Sequence, residues 1–223
     1  MNPFYEQGKG IQWGIAVFFL LITFSIMGFW TIVITSNPLV YLLIFLLVPF
    51  FQFFMTPFFT LIGLYRYLSP MLLVYAASEE KYDLHNGTSF DYLWVMKGCK
   101  PGRQWRHRLL SYYLQGLLKI IEDIETGVLS EALLIRGSSY FFSESTARRL
   151  GFEVSETSQF EKLNIIINYL DLCWMYSLAH GKLTLPQLKG VKTAQISGED
   201  LLKAKPKLIK LLEYLSRNEL TPG

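Results

Sequence analysis

The first third of the chain is a continuous apolar run, with no Asp, Glu, Lys or Arg from Gly10 to Tyr65. A bilayer core about 30 Å thick needs roughly 20 apolar residues for each helical crossing, so the run is long enough for two crossings and a turn. Pro38 supplies the turn, because it lacks a backbone donor and disfavours helix at the residue before it. We therefore predict a two-helix membrane anchor with spans at about 11–35 and 39–59.

A cleaved signal peptide is the alternative interpretation of the first span. The apolar run is longer than the roughly 7–15 residues of a signal-peptide core, and no small-residue cleavage site follows it. Trp13 and Trp30 lie near the two ends of this segment, as interfacial tryptophans do in membrane helices. These features favour a span that is retained in the mature protein.

Residues at about 58–77 continue the apolar pattern but include Arg66. A third membrane span would bury this arginine near its centre, which is energetically costly. An interfacial helix would instead let the long side chain reach the lipid head groups. We predict the interfacial helix, with a third span as the alternative.

Gln52 is a strongly polar side chain at membrane depth, between Pro49 and Pro57. A proline inside a helix leaves a backbone carbonyl without its usual donor. We expect Gln52 to hydrogen-bond to carbonyls freed in this way. A polar contact with another element, or a substrate groove, is the alternative.

The positive charges predict the orientation of the anchor, which comprises residues 1–78. Lys9 precedes the first span, Arg66 and Lys81 follow the second, and the turn between the spans carries no charge. Because basic residues concentrate on the cytoplasmic side, both ends of the hairpin should face the cytoplasm. We expect an integral membrane protein, which we assign to a bacterial inner membrane, with both termini cytoplasmic.

Residues 79–223 carry nearly all of the charge and are numerous enough to bury one hydrophobic core. Apolar residues at helical spacing predict a helix from Gln104 to Glu125, and Ser197 opens a last helical region. Leu133–Phe142 is interpreted as strand or loop, and Val191–Ile196 as extended. The predicted fold is an N-terminal two-helix transmembrane hairpin followed by a mainly helical α+β soluble domain in the cytoplasm.

Ser158 and Glu161 form a capping box that opens a long helix ending near Ala179. Most of the helix circumference is apolar, so we expect this helix at the centre of the core. Its polar residues share one face because they are spaced by three and four positions: Glu161, Asn164, Asn168 and Asp171. We expect this polar stripe to face water, with a cation site as the alternative.

The formal net charge of +3 and the lack of five consecutive basic residues argue against a nucleic-acid partner. Cys99 and Cys173 are far apart and form no CxxC motif, so neither a zinc site nor a redox pair is indicated. Both are expected to be free thiols in a reducing compartment. We recognise no cofactor-binding loop, and we predict neither a cofactor nor a metal.

The segment from Lys97 to Arg108 contains cationic residues and a tryptophan but no acid. Because it follows the anchor closely, we predict that it contacts anionic lipid head groups. The predicted head-group contacts, together with Arg66, are Lys97, Lys100, Arg103, Trp105, Arg106 and Arg108. An ordinary solvated loop followed by a first helical turn is the alternative.

The segment from Leu84 to Tyr92 holds the candidates for catalysis, His85, Ser89 and Asp91. An imidazole oriented by a carboxylate can activate a hydroxyl. The same residues also suit a tight turn at Asn86–Gly87, perhaps a small hairpin, in which a threonine and an aspartate cap neighbouring amides. We favour the turn.

The sequence resembles no family closely enough to name, so two hypotheses are carried. The first is an interaction or assembly subunit, held at the cytoplasmic membrane face, that binds membrane lipids and either a protein partner or a second copy. The second is a membrane-bound enzyme acting on a lipid or lipid-linked substrate, with His85 and Asp91 as acid–base candidates. A transporter is the weakest reading, because two spans without an intramembrane ion would have to oligomerise to enclose a path.

Overall fold

The computed structural model describes residues 2–138, 144–187 and 191–219. Its α-helices are α1 (Lys9–Ser36), α2 (Ile44–Leu61), α3 (Ser89–Val95), α4 (Arg103–Glu125), α5 (Glu144–Arg149), α6 (Gln159–Ile167), α7 (Tyr169–His180) and α8 (Gly198–Glu219). Its strands are β1 (Tyr65–Ser69), β2 (Leu72–Tyr75), β3 (Lys81–Asn86), β4 (Leu134–Ser138), β5 (Glu153–Glu156) and β6 (Lys192–Ser197). Short 3-10 helices cover Pro3–Glu6 and Pro38–Leu43. The predicted mixture of helix and sheet is confirmed.

Among the described residues, α1 is the one helix long and apolar enough to cross a membrane, judged by length and composition. The second predicted span, at 39–59, is not supported as a transmembrane helix. Its first part is the 3-10 helix Pro38–Leu43, and the continuous apolar helix from Leu46 to Leu61 is shorter than the roughly 20 residues that a crossing needs. Proline explains the interruption, because it restricts the backbone at the start of this segment.

The chain nevertheless folds back on itself after α1, so that α1 and α2 pack against each other. Aromatic contacts join the start of α1 to the end of α2, with ring centroids of Trp13 and Phe58 6.4 Å apart. At the far end, Trp30 lies 6.0 Å from Tyr41. The two segments are therefore antiparallel, and the beginning of α1 and the end of α2 both lie beside the domain.

A buried polar network holds this base of the anchor on the domain. Asn2 donates to Asp91 over 3.0 Å, and the hydroxyls of Tyr5 and Thr60 are 2.9 Å apart. Thr56, which is fully buried on α2, donates to the hydroxyl of Thr88 over 2.8 Å. Because buried polar groups of this kind are costly to separate, the base of the anchor and the domain behave as one packed unit.

The six strands form one sheet in the order β1-β2-β3-β4-β6-β5. The β3–β4 pair is parallel and all other pairs are antiparallel. The described part of the segment interpreted as strand or loop, Leu133–Phe142, contains strand β4, and residues 139–142 lie outside the described residues. The extended segment predicted at Val191–Ile196 is confirmed as β6, the neighbour of β4.

Strands β1 and β2 overturn the predicted interfacial helix at 58–77, and the alternative third span with it. Helix α2 continues to Leu61, and the chain then forms an antiparallel pair in which Arg66 is opposite Val74. Tyrosines on either side of the arginine favour a strand, since aromatic residues suit a pleated surface. Residues 65–75 therefore belong to the sheet of the domain and not to the anchor.

Helices α4 and α8 carry the hydrophobic core. The predicted helix at Gln104–Glu125 is confirmed as α4, and a Cβ at Gly116 would lie only 2.5 Å from a methyl carbon of Leu72, so the glycine allows close approach to the sheet. The predicted last helical region is confirmed as α8, where Leu208 and Leu215 are buried.

Candidate functional site

A pocket of about 730 Å³ lies inside the domain. One wall is formed by strands β2, β3, β4 and β6, and another by helices α6 and α7, with α4 and α2 contributing residues. Its polar lining residues are Gln52, Tyr65, Tyr75, Lys81, Asp83, His85, Asn86, Thr88, Tyr113, Arg136, Glu161, Asn164, Asn168 and Asp171. The pocket therefore combines amides, carboxylates and aromatic hydroxyls beside the base of the anchor.

The polar stripe of the long predicted helix lines this pocket, all four of its residues included. The opposite face of α6 and the start of α7 carries apolar side chains that point outward: Leu163 (53% exposed), Ile166 (44%), Ile167 and Leu170. The exposed apolar face contradicts the prediction that it would form the centre of the core. The prediction that the polar stripe faces water fails at Asp171, which is buried, but Asn164 is exposed. Its polar partners come from several elements: Glu161 pairs with Arg136 of the sheet, and Asp171 accepts from Ser89 of α3.

The long helix is also broken in the middle. The predicted capping box at its start is present, but α6 ends at Ile167, and Asn168 has φ −92° and ψ 13° before α7 begins. Asn168 donates to the carbonyl of Asn164 over 2.7 Å and accepts a hydrogen bond from the Gln52 side chain. Gln52 thus makes a polar contact with another element and lines the pocket, so the expected bond to proline-freed carbonyls is not its role here.

Asp171 is the chemically most unusual group in the pocket. It is 3% exposed, and its Oδ1 accepts from the Ser89 hydroxyl over 3.0 Å and from the indole Nε1 of Trp174 over 2.9 Å. Within the described residues, its Oδ2 has no hydrogen-bond partner. Burial raises the pKa of the Asp171 carboxyl, and the two hydrogen bonds oppose that shift. A buried acid with a free oxygen and a raised pKa is suited to proton transfer.

His85 lies on the sheet wall of the same pocket, on β3. Solvent reaches it through the pocket, and its ring lies 6.3 Å from that of Tyr75. Enclosure by the pocket walls lowers the pKa of His85, and the nearby Asp83 carboxylate opposes the shift. The imidazole is therefore neutral at neutral pH and able to accept a proton.

A charged cluster lies beside His85 on the sheet. Arg136 pairs with Glu161 and lies 3.5 Å from Asp83, which also pairs with Lys81 over 2.6 Å. Both cations are thus already matched by carboxylates. The cluster fixes the charged side chains in place and leaves little uncompensated positive charge for an anionic ligand.

Asp91, the other predicted carboxylate, occupies a different environment. It is fully buried outside the pocket lining, and both of its oxygens are occupied: Oδ1 accepts from Asn2, and Oδ2 accepts from Tyr67 over 2.6 Å and from the Thr88 amide over 2.9 Å. Burial raises the pKa of Asp91, and these hydrogen bonds lower it. With Thr88 it forms the capping box of α3, which confirms the predicted capping of neighbouring amides.

The turn at Asn86–Gly87 is not a hairpin, because it joins strand β3 to helix α3. The three catalytic candidates are consequently separated. His85 faces the pocket, Ser89 orients Asp171, and Asp91 supports the base of the anchor.

The predicted head-group contacts divide into two groups. Trp105 is 6% exposed and stacks on Tyr92, so it is buried in the domain. The Arg66 guanidinium donates to the Tyr82 hydroxyl and lies 3.6 Å from Asp123, but its side chain remains 45% exposed. The assignment of Trp105 to the lipid surface is corrected, because its side chain is buried, whereas that of Arg66 stays a prediction. The remaining residues, here called the basic cluster, are exposed or, for Arg108, half-buried: Lys97, Lys100, Arg103, Arg106 and Arg108.

The chain matches no known protein family. Comparisons with curated proteins and with solved structures likewise find no match. The functional assignment therefore rests on the pocket, on the titratable residues of its two walls and on the adjoining anchor.

Sequence reasoning noticed Asp171 only as one member of a stripe, and it overlooked Arg136 and Tyr75 as pocket residues. A partial signal existed, because two carboxylates and two amides on one face of an otherwise apolar helix are compatible with a pocket as well as with water. The position of the sheet opposite this face could not be derived from helical spacing.

Proposed function

We propose that the protein is a membrane-bound enzyme acting on a lipid or lipid-linked substrate, whose polar part enters the pocket. The observation that carries the proposal is a pocket of about 730 Å³ whose polar helical wall touches the anchor at Gln52. This volume lies within the roughly 300–1,000 Å³ range of small-molecule sites. A site built against a membrane anchor favours a substrate that resides in the membrane.

The membrane topology that supports this function is a hairpin. Helix α1 crosses the bilayer, and the chain returns through the 3-10 helix Pro38–Leu43 and α2. Neither part of this return is long enough to cross as a single helix, but at about 2 Å per residue for the 3-10 part and 1.5 Å for the α-helical part the two together cover about 39 Å, which would regain the starting side. Lys9 and Arg66 flank the pair, so the domain and both termini lie in the cytoplasm, at a bacterial inner membrane.

Asp171 and His85 are the catalytic residues in this proposal, on the helix wall and the sheet wall of one pocket. In this proposal Asp171, whose pKa is raised by burial, exchanges a proton with the substrate, and His85, neutral at neutral pH, accepts a second proton. Ser89 and Trp174 are positioning residues, because their donors both bind Oδ1 and fix the orientation of the carboxyl group.

The lining favours a hydroxyl-rich or amide-bearing polar group over a phosphate. The pocket has the cations Lys81 and Arg136 against the acids Asp83, Glu161 and Asp171, and both cations are already paired. Its amides and tyrosines can both donate and accept, which suits neutral polar groups.

Native lipid analysis tests the proposal. The full chain is purified in mild detergent, and its bound lipids are identified by mass spectrometry. The wild type is compared with two variants. Asn164→Trp fills the pocket from a solvent-open position, and Lys210→Trp on α8 is the matched control. We expect one lipid class to be retained by the wild type and the control and lost from Asn164→Trp. Equal retention by all three proteins would contradict a pocket ligand.

Catalysis is tested separately with Asp171→Asn. If Asp171 transfers a proton, this variant should retain the bound lipid while cells that depend on it accumulate unprocessed substrate. Glu213→Gln, an exposed carboxylate on α8, is the control and should behave as wild type. A fully active Asp171→Asn protein would remove Asp171 from the mechanism.

The interaction or assembly subunit is the second candidate. It is favoured by Leu183 and Leu185, which are 87% and 61% exposed on the segment after α7 and would suit a protein partner. Mass spectrometry of co-eluting proteins, with Leu183→Ser and Leu185→Ser as the comparison, distinguishes this function. A stoichiometric protein lost from the double variant would favour it.

A further inference from the structure

We propose that part of the domain surface is embedded in one leaflet of the bilayer and is covered by the acyl chains of that leaflet. This surface, here called the shelf, consists of Leu93, Trp94, Leu163, Ile166, Ile167 and Leu170. All six side chains are more than one third exposed. The inference rests on the membrane anchor proposed above and goes beyond it, because that topology alone places only α1 and the returning segment in lipid. The occupant is the leaflet that surrounds the base of the anchor.

The first reason is the inverted orientation of α6 and the start of α7. The positions 163, 166, 167 and 170 follow helical spacing and form one continuous apolar stripe on the outside, while the polar stripe faces the pocket. A helix on a water-exposed surface shows the opposite arrangement. An apolar medium outside the helix accounts for this arrangement without leaving the stripe in water.

The second reason is that the shelf is continuous with the apolar surface of the anchor. Phe90, at the start of α3, lies 6.4 Å from Phe19 of α1 and 5.5 Å from Phe53 of α2, measured between ring centroids. Trp94 follows one turn later on the same helix, 6.5 Å from Phe90. The α6–α7 break reaches the same part of α2 through the Gln52 contact. Both pieces of the shelf therefore adjoin the hairpin.

The third reason is depth. Exposed apolar side chains on α1 extend from Ile11 to Ile32, about 32 Å along the helix, which matches the bilayer core of about 30 Å. Phe19 is eight residues from Ile11, or about 12 Å inside the core. Because α3 contacts Phe19 and the α6–α7 break contacts the neighbouring depth of α2, both lie below the lipid head groups.

If the bilayer core began further along α1 than Ile11, the domain would stay in water, but more apolar side chains would also be exposed to water. Such a position would leave the exposed side chains of Ile11, Val17 and Phe18 in water along with the shelf.

The surrounding charges also agree with the embedded position. The basic cluster begins just after α3, and Gly102 within it donates to the carbonyl of Leu178, at the end of α7 remote from Gln52. That end is suited to the head-group region.

Site-directed spin labelling of the full chain in phospholipid nanodiscs tests the shelf. The two free cysteines are first replaced by serine, and single cysteines are then introduced at Ile166 or Leu93 on the shelf, at Phe29 on α1 as the anchor reference, and at Val128 as a matched control. Val128 is an exposed apolar residue on the connection after α4. Power saturation compares collision with oxygen, which concentrates in lipid, and with a water-soluble nickel chelate.

We expect labels at Ile166 and Leu93 to behave like the label at Phe29, with high oxygen and low nickel accessibility, and the label at Val128 to show the reverse. Nickel access at Ile166 and Leu93 together with lipid access at Phe29 would overturn the shelf while leaving the anchor intact. Nickel access at Phe29 as well would overturn the anchor. Protection of the shelf labels from both reagents would indicate a protein cover and would also overturn the proposal. Two shelf positions keep the test decisive if one variant fails to fold.

Discussion

Replacing Asp171 by Asn should stabilise the protein even though it removes a proposed catalytic group. An unpaired buried polar group costs about 1–3 kcal/mol, and a charged one more. Asp171 is 3% exposed with Oδ2 unpaired among the described residues. Asn keeps an oxygen for Ser89 and Trp174, and although its amide nitrogen is left unpaired in the place of Oδ2, the buried charge is removed. We expect a gain of about 1 kcal/mol, or about 2–4 °C in Tm for a chain of this size.

The gain in stability from Asp171→Asn should increase with pH. The pKa of Asp171 is raised in the folded state, so the folded protein binds the proton more tightly than the unfolded chain. Its contribution to stability is complete below the ordinary aspartate pKa and is lost as pH rises through the raised value. The wild type should therefore weaken over that window, and the advantage of Asp171→Asn should grow with pH and disappear in acid.

Thermal unfolding of the full chain in detergent, followed by circular dichroism across this pH range, is the assay. Asp91→Asn is the matched control, because its buried carboxylate accepts from Asn2, Tyr67 and Thr88, and an amide cannot accept from all of them. We expect this control to lose about 1–3 kcal/mol. If Asp171→Asn is destabilised as much as Asp91→Asn, the free Oδ2 and the reasoning built on it are wrong.

Three further outcomes are expected. A cysteine at Asn37 in intact cells should react with an impermeant reagent and one at Gly223 should not; the reverse labelling would refute the cytoplasmic orientation. The protein should be thermally more stable in anionic than in neutral nanodiscs, a difference that salt or neutralisation of three basic-cluster residues abolishes; a salt-independent difference would rule out electrostatic contact. Gly87→Val should cost about 1–3 kcal/mol in urea unfolding through overpacking, because its Cβ would lie 2.9 Å from Met71, and a neutral effect would contradict this packing.

Several elements of the fold follow from local sequence physics. The apolar run of α1 needs no tertiary information, because the bilayer length rule applies to the sequence directly. The spacing of apolar residues predicted α4 and α8, since burying one stripe of a helix requires that spacing. The capping boxes at Thr88 and Ser158 were also predictable, because the partners are three residues apart.

Other predictions failed because the deciding partner is distant in sequence. Trp105 was assigned to lipid, but it is buried in the domain, where it stacks on Tyr92. Residues 65–75 pair as strands, and a strand needs a neighbour that local periodicity does not reveal. The need for glycine at position 87 also depends on a distant residue, because a Cβ there would lie 2.9 Å from the Met71 side chain.

The sequence by itself determined that α6 and α7 have a polar face and an apolar face, and that Gln52 lies between two prolines of the anchor. Only the tertiary structure decided which surroundings each face meets. The sheet encloses the polar face to make the pocket, Gln52 reaches Asn168 at the helix break, and Asp171 is buried with one oxygen free. The physical reason is that helical periodicity fixes the angle between two faces of a helix, while packing against the rest of the chain fixes their direction.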